Sequence, residues 1–437
     1  MKSSGSNGRD GITRARKWLS GQIVCLLMND RVKKLYPIPK SILLIYHFFQ
    51  PDPVISARLF AELAEELARA GHRVTVFTGN RLIRSDEKLP PREVWNGVEI
   101  RRFSRPNFSQ GSNVGRLFNS GILQLKWLCE FFRRRREFDA VLVGTDPQFA
   151  YLMFPLLRLM NRRIRLIHWA FDLYPEAILV NSPAWMKRLA ALTKPFVPWA
   201  YRRVDAMVDI GECMRKRLQA YGHGAECATL TPWALAEPPE VPESDPDVRR
   251  ELFGEAKIGL LYSGTVGYAH DLGPFIGLAR ECRRRGIDAA FCFAGYGNQY
   301  KVQLAQLTKE DTNIRLAGFA SEAELERRLA AADIHLISLR RGWEGIVVPS
   351  KFFGALAIGR PVLFSGPEES CIARWIADEK LGCVLDDASV AALHFIRELG
   401  NKPEVLEQAR NHAWRIYREK FSRTAVCSRW LRLLAER

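Results

Sequence analysis

The 437 residues predict an α/β protein made of two Rossmann-like parallel-sheet domains facing a cleft. Three observations predict it. Near the start, an apolar strand (Ile42 to Tyr46), an amphipathic helix from about Ser56 and a second strand (Val74 to Thr78) make a βαβ unit. In the middle, TPWALAEPPEVPESDPDV is rich in proline and acid and has no apolar period, which marks a linker. After it the pattern restarts with a strand from Ile258 to Ser263, a glycine turn and another helix. The expected division is an N-terminal extension over 1–40, a first domain over 41–232 with a helix over 418–437 returning to it, a linker over 233–256 and a second domain over 257–417.

The formal charge of +17 predicts a polyanionic partner: nucleic acid, an anionic membrane surface or a phosphorylated substrate. The arginines are dispersed and no nucleic-acid motif accompanies them, so no nucleic acid is expected. The nine cysteines are scattered without a C-x-x-C pair, which reads as reduced, cytoplasmic usage without a metal site. No apolar run is long enough to span a bilayer: GQIVCLLM is short, and AYLMFPLLRLM is broken by Arg158. Residues 1–40 carry basic residues before a brief apolar piece but no cleavage site, and read as a mobile extension.

In chain order, the first helix places Leu59, Leu63 and Leu67 on one face and stops at Gly71. The turn before it, HFFQPDPVISAR, lacks G-x-G-x-x-G, which argues against a dinucleotide cofactor in this half. Arg58 in this helix is a candidate phosphate ligand, against the commoner solvated arginine. A polar, irregular stretch is expected to about Ser112, then a long helix over Asn113 to Arg136 with Leu117, Ile122, Leu125, Leu128, Phe131, Phe132 and Trp127 on its apolar side. Its four terminal arginines suit either a solvated helix end or an anionic membrane surface.

Strands over Ala140 to Gly144 and Arg165 to Trp169 deliver the loops TDP and AFDLYPEAI to the carboxyl edge of the sheet, where open α/β sheets bind ligands. His168, Asp172 and Glu176 are therefore site candidates. Helix capping is the alternative for Asp172; for His168 a satisfied buried histidine is preferred. VDAMVDIG is a further strand, followed by the helix of ECMRKRLQAYG. Asp245 and Asp247 form a D-x-D, read as an accident of the acidic linker.

In the second half, Gly264 and Gly267 of GTVGYAHD let backbone approach a diphosphate, with His270 and Asp271 following. Gly295 and Gly297 stand at the exit of another strand, Ser321 caps a helix, and a strand over Asp333 to Leu339 delivers Arg340 and Arg341. The stretch EGIVVPSKFFGALAIGRPVLF, from Glu344 to Phe364, organises this half. Ser350 is a natural N-cap, Phe352, Phe353, Leu356 and Ala357 fall on a helical period, Gly359 stops the helix, and a strand follows from Pro361 to Phe364. A helix start with Lys351 in its first turn offers amides and charge to a phosphate; the bland alternative is a buried connection with a solvated lysine.

The P-S-K segment with its apolar helix and A-x-G-x-P, the G-x-x-G-x-x-H-D of the second domain and the D-L-Y-P-E segment together resemble glycosyltransferase family 4. The resemblance covers roughly residues 40 to 437 and is strongest from Tyr262 to Phe364, with a bacterial polysaccharide sub-branch carrying P-S-K-x-F/Y-G most similar. It implies the GT-B fold. It also implies a nucleotide-sugar donor whose diphosphate meets Gly264, Gly267, His270, Ser350 and Lys351, and whose base is bordered by Gly318, Phe319 and Ala320, with Gly295 beside them.

The chain departs from the family in three places, one of them Tyr268, where many members have Arg or Lys in or near the loop. The usual E-x7-E pair is replaced by Ile346 and Gly354, with Glu344 nearby but out of register, and Val54 and Ile55 stand in a turn that is usually glycine-rich. The activity implied is retaining, metal-independent transfer to a glycan acceptor on a polyprenyl diphosphate at the inner face of the plasma membrane, with Asp172 orienting the acceptor. No cofactor beyond the nucleotide-sugar co-substrate is expected. The rival readings are a nucleotide-sugar 2-epimerase of the same fold and a non-catalytic nucleotide-sugar or nucleic-acid binder.

Overall fold

The computed structural model describes residues 40–435 except 84–86, 107, 109–112, 223 and 387; the expected N-terminal extension lies outside these residues, apart from Lys40. Eight strands form the first sheet: β1 (Ser41–Ile45), β2 (Arg73–Gly79), β3 (Arg92–Trp95), β4 (Val98–Phe103), β5 (Ala140–Gly144), β6 (Arg165–Trp169), β7 (Ala206–Asp209) and β8 (Glu226–Thr229). Six form the second: β9 (Ile258–Thr265), β10 (Ala289–Tyr296), β11 (Ile314–Ala317), β12 (Ile334–Ser338), β13 (Val362–Ser365) and β14 (Gly382–Val384).

The helices of the first half are α1 (Ile55–Arg69), α2 (Asn113–Arg134), α3 (Phe154–Met160), α4 (Glu176–Val180), α5 (Ala184–Thr193), α6 (Phe196–Tyr201) and α7 (Glu212–Gln219). Those of the second are α8 (Pro246–Phe253), α9 (Gly273–Arg284), α10 (Tyr300–Leu304), α11 (Glu322–Ala330), α12 (Lys351–Ala357), α13 (Cys371–Glu379), α14 (Val390–Asn401), α15 (Pro403–Ile416) and α16 (Arg423–Ala435).

Strand order is β3-β4-β2-β1-β5-β6-β7-β8 in the first sheet and β11-β10-β9-β12-β13-β14 in the second. Pairing is parallel except for β3 with β4. In each sheet the order reverses beside the first strand of the domain, and at that switch the loops of neighbouring strands part to leave room for a ligand. Central strands are buried on both faces, as the continuous apolar runs of ILLI and AVLVG require.

The stretch expected to be irregular before residue 112 instead holds the hairpin β3–β4. Asn96 and Gly97 take positive φ of 46° and 81° at its turn, and β4 alternates buried and half-buried residues. The Asn-Gly pair between alternating residues was the signal. The linker is also shorter than expected. Asp245 accepts from the amides of Asp247 and Val248 to cap α8, whose Leu252 and Phe253 bury against the second sheet. The D-x-D thus serves as a helix cap, which proline at the first turn reinforces.

α2 ends at Arg134, two residues early, and its buried side carries Leu123, Trp127, Leu128 and Phe131. Leu117, Leu125 and Phe132, expected with the apolar side, are exposed. Phe118, Leu125 and Phe132 recur every seven residues and make a second, solvent-facing stripe. Of the terminal arginines, Arg134 is bonded to Glu99 and Glu137, and Arg135 lies over the Phe132 ring. Among the described residues no helix is long and apolar enough to cross a membrane.

α16 returns to the first sheet as expected. Its Trp430 packs edge-on against Trp169, 4.9 Å between centroids, and Arg423 pairs with Glu65 and Glu66 of α1. One apolar core runs from the first sheet through Trp343, Ile346 and Val348 to α12 and α16, so the two halves share buried surface.

Candidate functional site

On the second domain, β9 and β10 run in register with Gly264 opposite Gly295. A Cβ on Gly295 would fall 2.2 Å from the Gly264 carbonyl oxygen, and one on Gly297 2.5 Å from that of Val266. Gly264 itself has φ of +121°, and a Cβ there would lie 3.0 Å from Cε of Lys351. Glycine is thus required where the strand exits press together beneath the lysine. Gly267 is different: its φ is not positive and a Cβ would meet open space, so the backbone does not demand glycine there.

Lys351 opens α12, and its Nζ donates to the Thr265 carbonyl at 2.9 Å, lies 3.4 Å from Nε2 of His270 and stands 5.2 Å from the centre of the Tyr262 ring. His270 donates Nδ1–H to the Ser338 carbonyl at 3.0 Å, which leaves Nε2 as an acceptor facing the ammonium. Burial first, then the Lys351 charge, push the His270 pKa down to about 3, so the ring is neutral. Burial lowers the Lys351 pKa to about 8. The sequence-predicted Gly264, His270 and Lys351 therefore form one cluster.

Other donor-side expectations fare unevenly. α12 has seven residues and Ser350 precedes it with φ of −64° and no side-chain cap bond, so the capped start expected there is absent. Arg340 donates to the His270 carbonyl at 2.9 Å and stands 3.8 Å from Asp271, which fixes the loop. Glu344 accepts from the Gly342 amide at 2.7 Å, while its own carbonyl accepts from Arg217 of α7 at 3.0 Å. Phe319 is exposed and meets Tyr296 edge-on at 4.9 Å.

On the first domain, Asp172 lies in the loop after β6. The Phe171 amide donates to Thr145 Oγ1 at 2.8 Å and the Leu173 amide to the Ile346 carbonyl at 3.1 Å. The second bond joins the Asp172 loop to the loop that leads into Lys351, so both candidates border the seam between domains. Burial, then the charge of Asp146, raise the Asp172 pKa to about 6. Asp146 itself stands 3.3 Å from Nδ1 of His47. His47 and Asp146 were missed as a pair; their places at the exits of β1 and β5, in HFF and TDP, were the available signal.

Three sequence candidates have structural partners. Arg58 pairs with Glu62 within α1 at 2.8 Å. Glu176 is buried, accepts from the Tyr221 hydroxyl, and leaves Oε2 without a partner. His168 is the satisfied core histidine expected: Nδ1 lies 2.9 Å from the Val143 carbonyl, Nε2 lies 3.2 Å from the Tyr201 hydroxyl, and burial lowers its pKa to about 4. Beside it is a small pocket lined by Thr145, Tyr151, Tyr174 and Tyr201.

Comparison with known proteins bears on the fold and the kind of enzyme. A family model described as a glycosyl transferase 4-like domain matches residues 56–233. A probable glycosyltransferase of Pseudomonas aeruginosa, WbjE, is 28% identical over 339 residues, 73% of this chain and 82% of its own length. A putative colanic acid biosynthesis glycosyl transferase of Escherichia coli K12, WcaI, is 24% identical over 333 residues, 71% of this chain and 79% of its own. Among solved structures, WaaG, a glycosyltransferase involved in lipopolysaccharide biosynthesis, superposes with a TM-score of 0.58 at 15% identity, covering 91% of this chain and 100% of its own. The catalytic domain of starch synthase IV from Arabidopsis thaliana superposes at 0.62 with 12% identity, covering 91% and 99%.

Proposed function

We propose that this chain, a glycosyltransferase of GT-B fold, moves a sugar from a nucleotide-sugar to a lipid-linked glycan in cell-surface polysaccharide biosynthesis, with retention of configuration. The observation that carries the reading is the pairing of two chemistries across one seam. A cation with a neutral imidazole and close-packed glycines lies on the second domain; a carboxyl with a raised pKa lies on the first. The names of WbjE, WcaI and WaaG, two of which mention colanic acid or lipopolysaccharide biosynthesis, support the polysaccharide setting.

In this mechanism the diphosphate lies against Gly264 and Lys351, whose charge stabilises the leaving group as its bond to the sugar C1 breaks. A half-buried ammonium does this more strongly than a solvated one, because little water screens it. The acceptor hydroxyl oxygen forms its new bond to C1 on the same face. Its proton passes to the departing diphosphate oxygen. Asp172, held by the Thr145 and Ile346 bonds on either side of it, orients that hydroxyl. Ser350, Phe319 and Glu344 border the donor, and Glu176 holds the acceptor-side loop through Tyr221.

A thermal-shift screen against UDP-, GDP-, TDP- and ADP-linked sugars tests the reading. One nucleotude class is expected to raise Tm, and label from that donor to appear in an added lipid-linked acceptor. Conversion of the donor to an epimer without acceptor sinks transfer in favour of epimerisation, and a cooperative melt unmoved by any donor removes the donor site.

A further inference from the structure

The apolar residues that α3, α5 and α6 turn to solvent do not belong to the cleft. Leu156 and Leu159 of α3, Trp185 and Leu192 of α5, and Phe196 and Trp199 of α6 are all exposed, with Leu159 and Leu192 each at 70%. α3 packs on both α2 and α6, and α5 runs through two residues, Lys194 and Pro195, into α6. Isolated exposed leucines are ordinary, but this many large apolar side chains on adjoining short helices are a patch, and patches mark contacts.

The charge around the patch selects its partner. Between residues 150 and 203 there are nine arginines and lysines against two carboxylates, Asp172 and Glu176. Both carboxylates are withdrawn, Glu176 buried and Asp172 half-buried, whereas Arg162, Arg163, Arg188, Lys194, Arg202 and Arg203 are exposed at the ends and flanks of these helices. A protein partner would have to bury or match these cations. An anionic bilayer accepts aromatic and leucine side chains at its acyl boundary while its headgroups meet the arginines.

We infer that the α3–α5–α6 face inserts shallowly into an anionic lipid bilayer, and that the acceptor reaches Asp172 along this face. The chain connectivity carries the second half. The loop after β5 holds Thr145 and Asp146 and runs directly into the turn before α3; the loop after β6 holds Asp172 and runs through α4 into α5. The acceptor side of the cleft is therefore the rim of the apolar face, so a lipid chain lying on the face delivers its headgroup to the carboxyl. This route rests on the transferase reading above; the insertion does not.

The test uses the full chain without donor or acceptor, so its failure is separable from failure of the transferase reading. Binding is measured to phosphatidylcholine vesicles with and without phosphatidylglycerol, together with quenching of tryptophan fluorescence by lipids brominated on their acyl chains. Wild type is expected to bind the anionic vesicles and be quenched, and Trp199→Phe to be quenched less. L159E combined with L192E is expected to bind at least about tenfold more weakly, since two large apolar side chains no longer enter the acyl boundary. The variant's melting temperature, unchanged from wild type, excludes misfolding. Equal vesicle binding by wild type and that variant overturns the inference. So does binding without acyl-chain quenching, which would leave only surface electrostatics, and so does concentration-dependent dimerisation lost in the variant without vesicle binding, which would assign the face to a second copy.

Discussion

Nε2 of His270 stands 3.4 Å from Nζ of Lys351, although 81 residues separate them in the chain. The pairing has one workable protonation. With Nδ1–H given to Ser338, Nε2 can only accept, and the nearby ammonium both donates toward it and keeps it from protonating. His270 thereby aims Lys351 without competing for an anion.

Lys351→Ala is expected to raise the donor dissociation constant roughly 10- to 100-fold, the worth of a charge-assisted hydrogen bond, and to leave Tm unlowered. With the Lys351 pKa near 8 in the free protein, wild-type donor affinity should weaken above that pH as the ammonium is lost. Calorimetric titration of the donor between pH 7 and 9 reads both; a flat profile with an unaffected variant takes Lys351 out of the site.

Gly295→Ala should fold poorly or melt well below wild type, because its Cβ would sit 2.2 Å from a backbone oxygen that the parallel pairing with β9 holds in place. Gly267→Ala, with open space over it, should keep Tm and alter only donor affinity. Melting curves of the two variants decide, and similar losses of Tm in both would contradict the account.

Asp172→Asn should lower kcat by about 10²-fold, the usual worth of a positioned proton acceptor or hydroxyl guide, with donor affinity unchanged. Wild-type activity should fall with acid near pH 6, where burial and Asp146 place the Asp172 pKa, and the variant should lose that limb. Initial rates with a lipid-linked acceptor between pH 5 and 8 check it.

Acid should also reduce stability. His168 and His335 are buried with pKa lowered to about 4, so the unfolded chain takes up protons below about 6.5 that the folded chain refuses. Their contribution is intact above pH 6.5 and is lost as pH falls toward 4, about 2 kcal/mol each by pH 5. Asp172 and Asp209, raised to about 6, act oppositely between pH 6 and 4 and offset part of this. Urea unfolding at pH 7 and pH 5 should give the lower free energy at pH 5, and replacing His335 by Gln should reduce that difference.

Periodicity and punctuation in the sequence determined the strands, since a segment buried on both faces has to be apolar throughout: β5 and β6 fall at the expected residues, and β1, β2 and β9 within two of them. Gly264, His270 and Lys351, which the structure brings together, were legible as candidates because glycine turns, and charges at strand exits, are local features. The hairpin β3–β4 was equally local, and its Asn-Gly turn went unread. Tertiary structure alone decided what depends on distant neighbours. Which stripe of α2 is core depends on what packs against it. Whether Glu176 or Arg58 is free to act depends on Tyr221 and Glu62 being there to hold them. The meeting of His47 with Asp146, and of the Asp172 loop with Ile346, brings together residues 99 and 173 positions apart. Spacing along a chain encodes which face of an element a side chain occupies; only packing decides what that face meets.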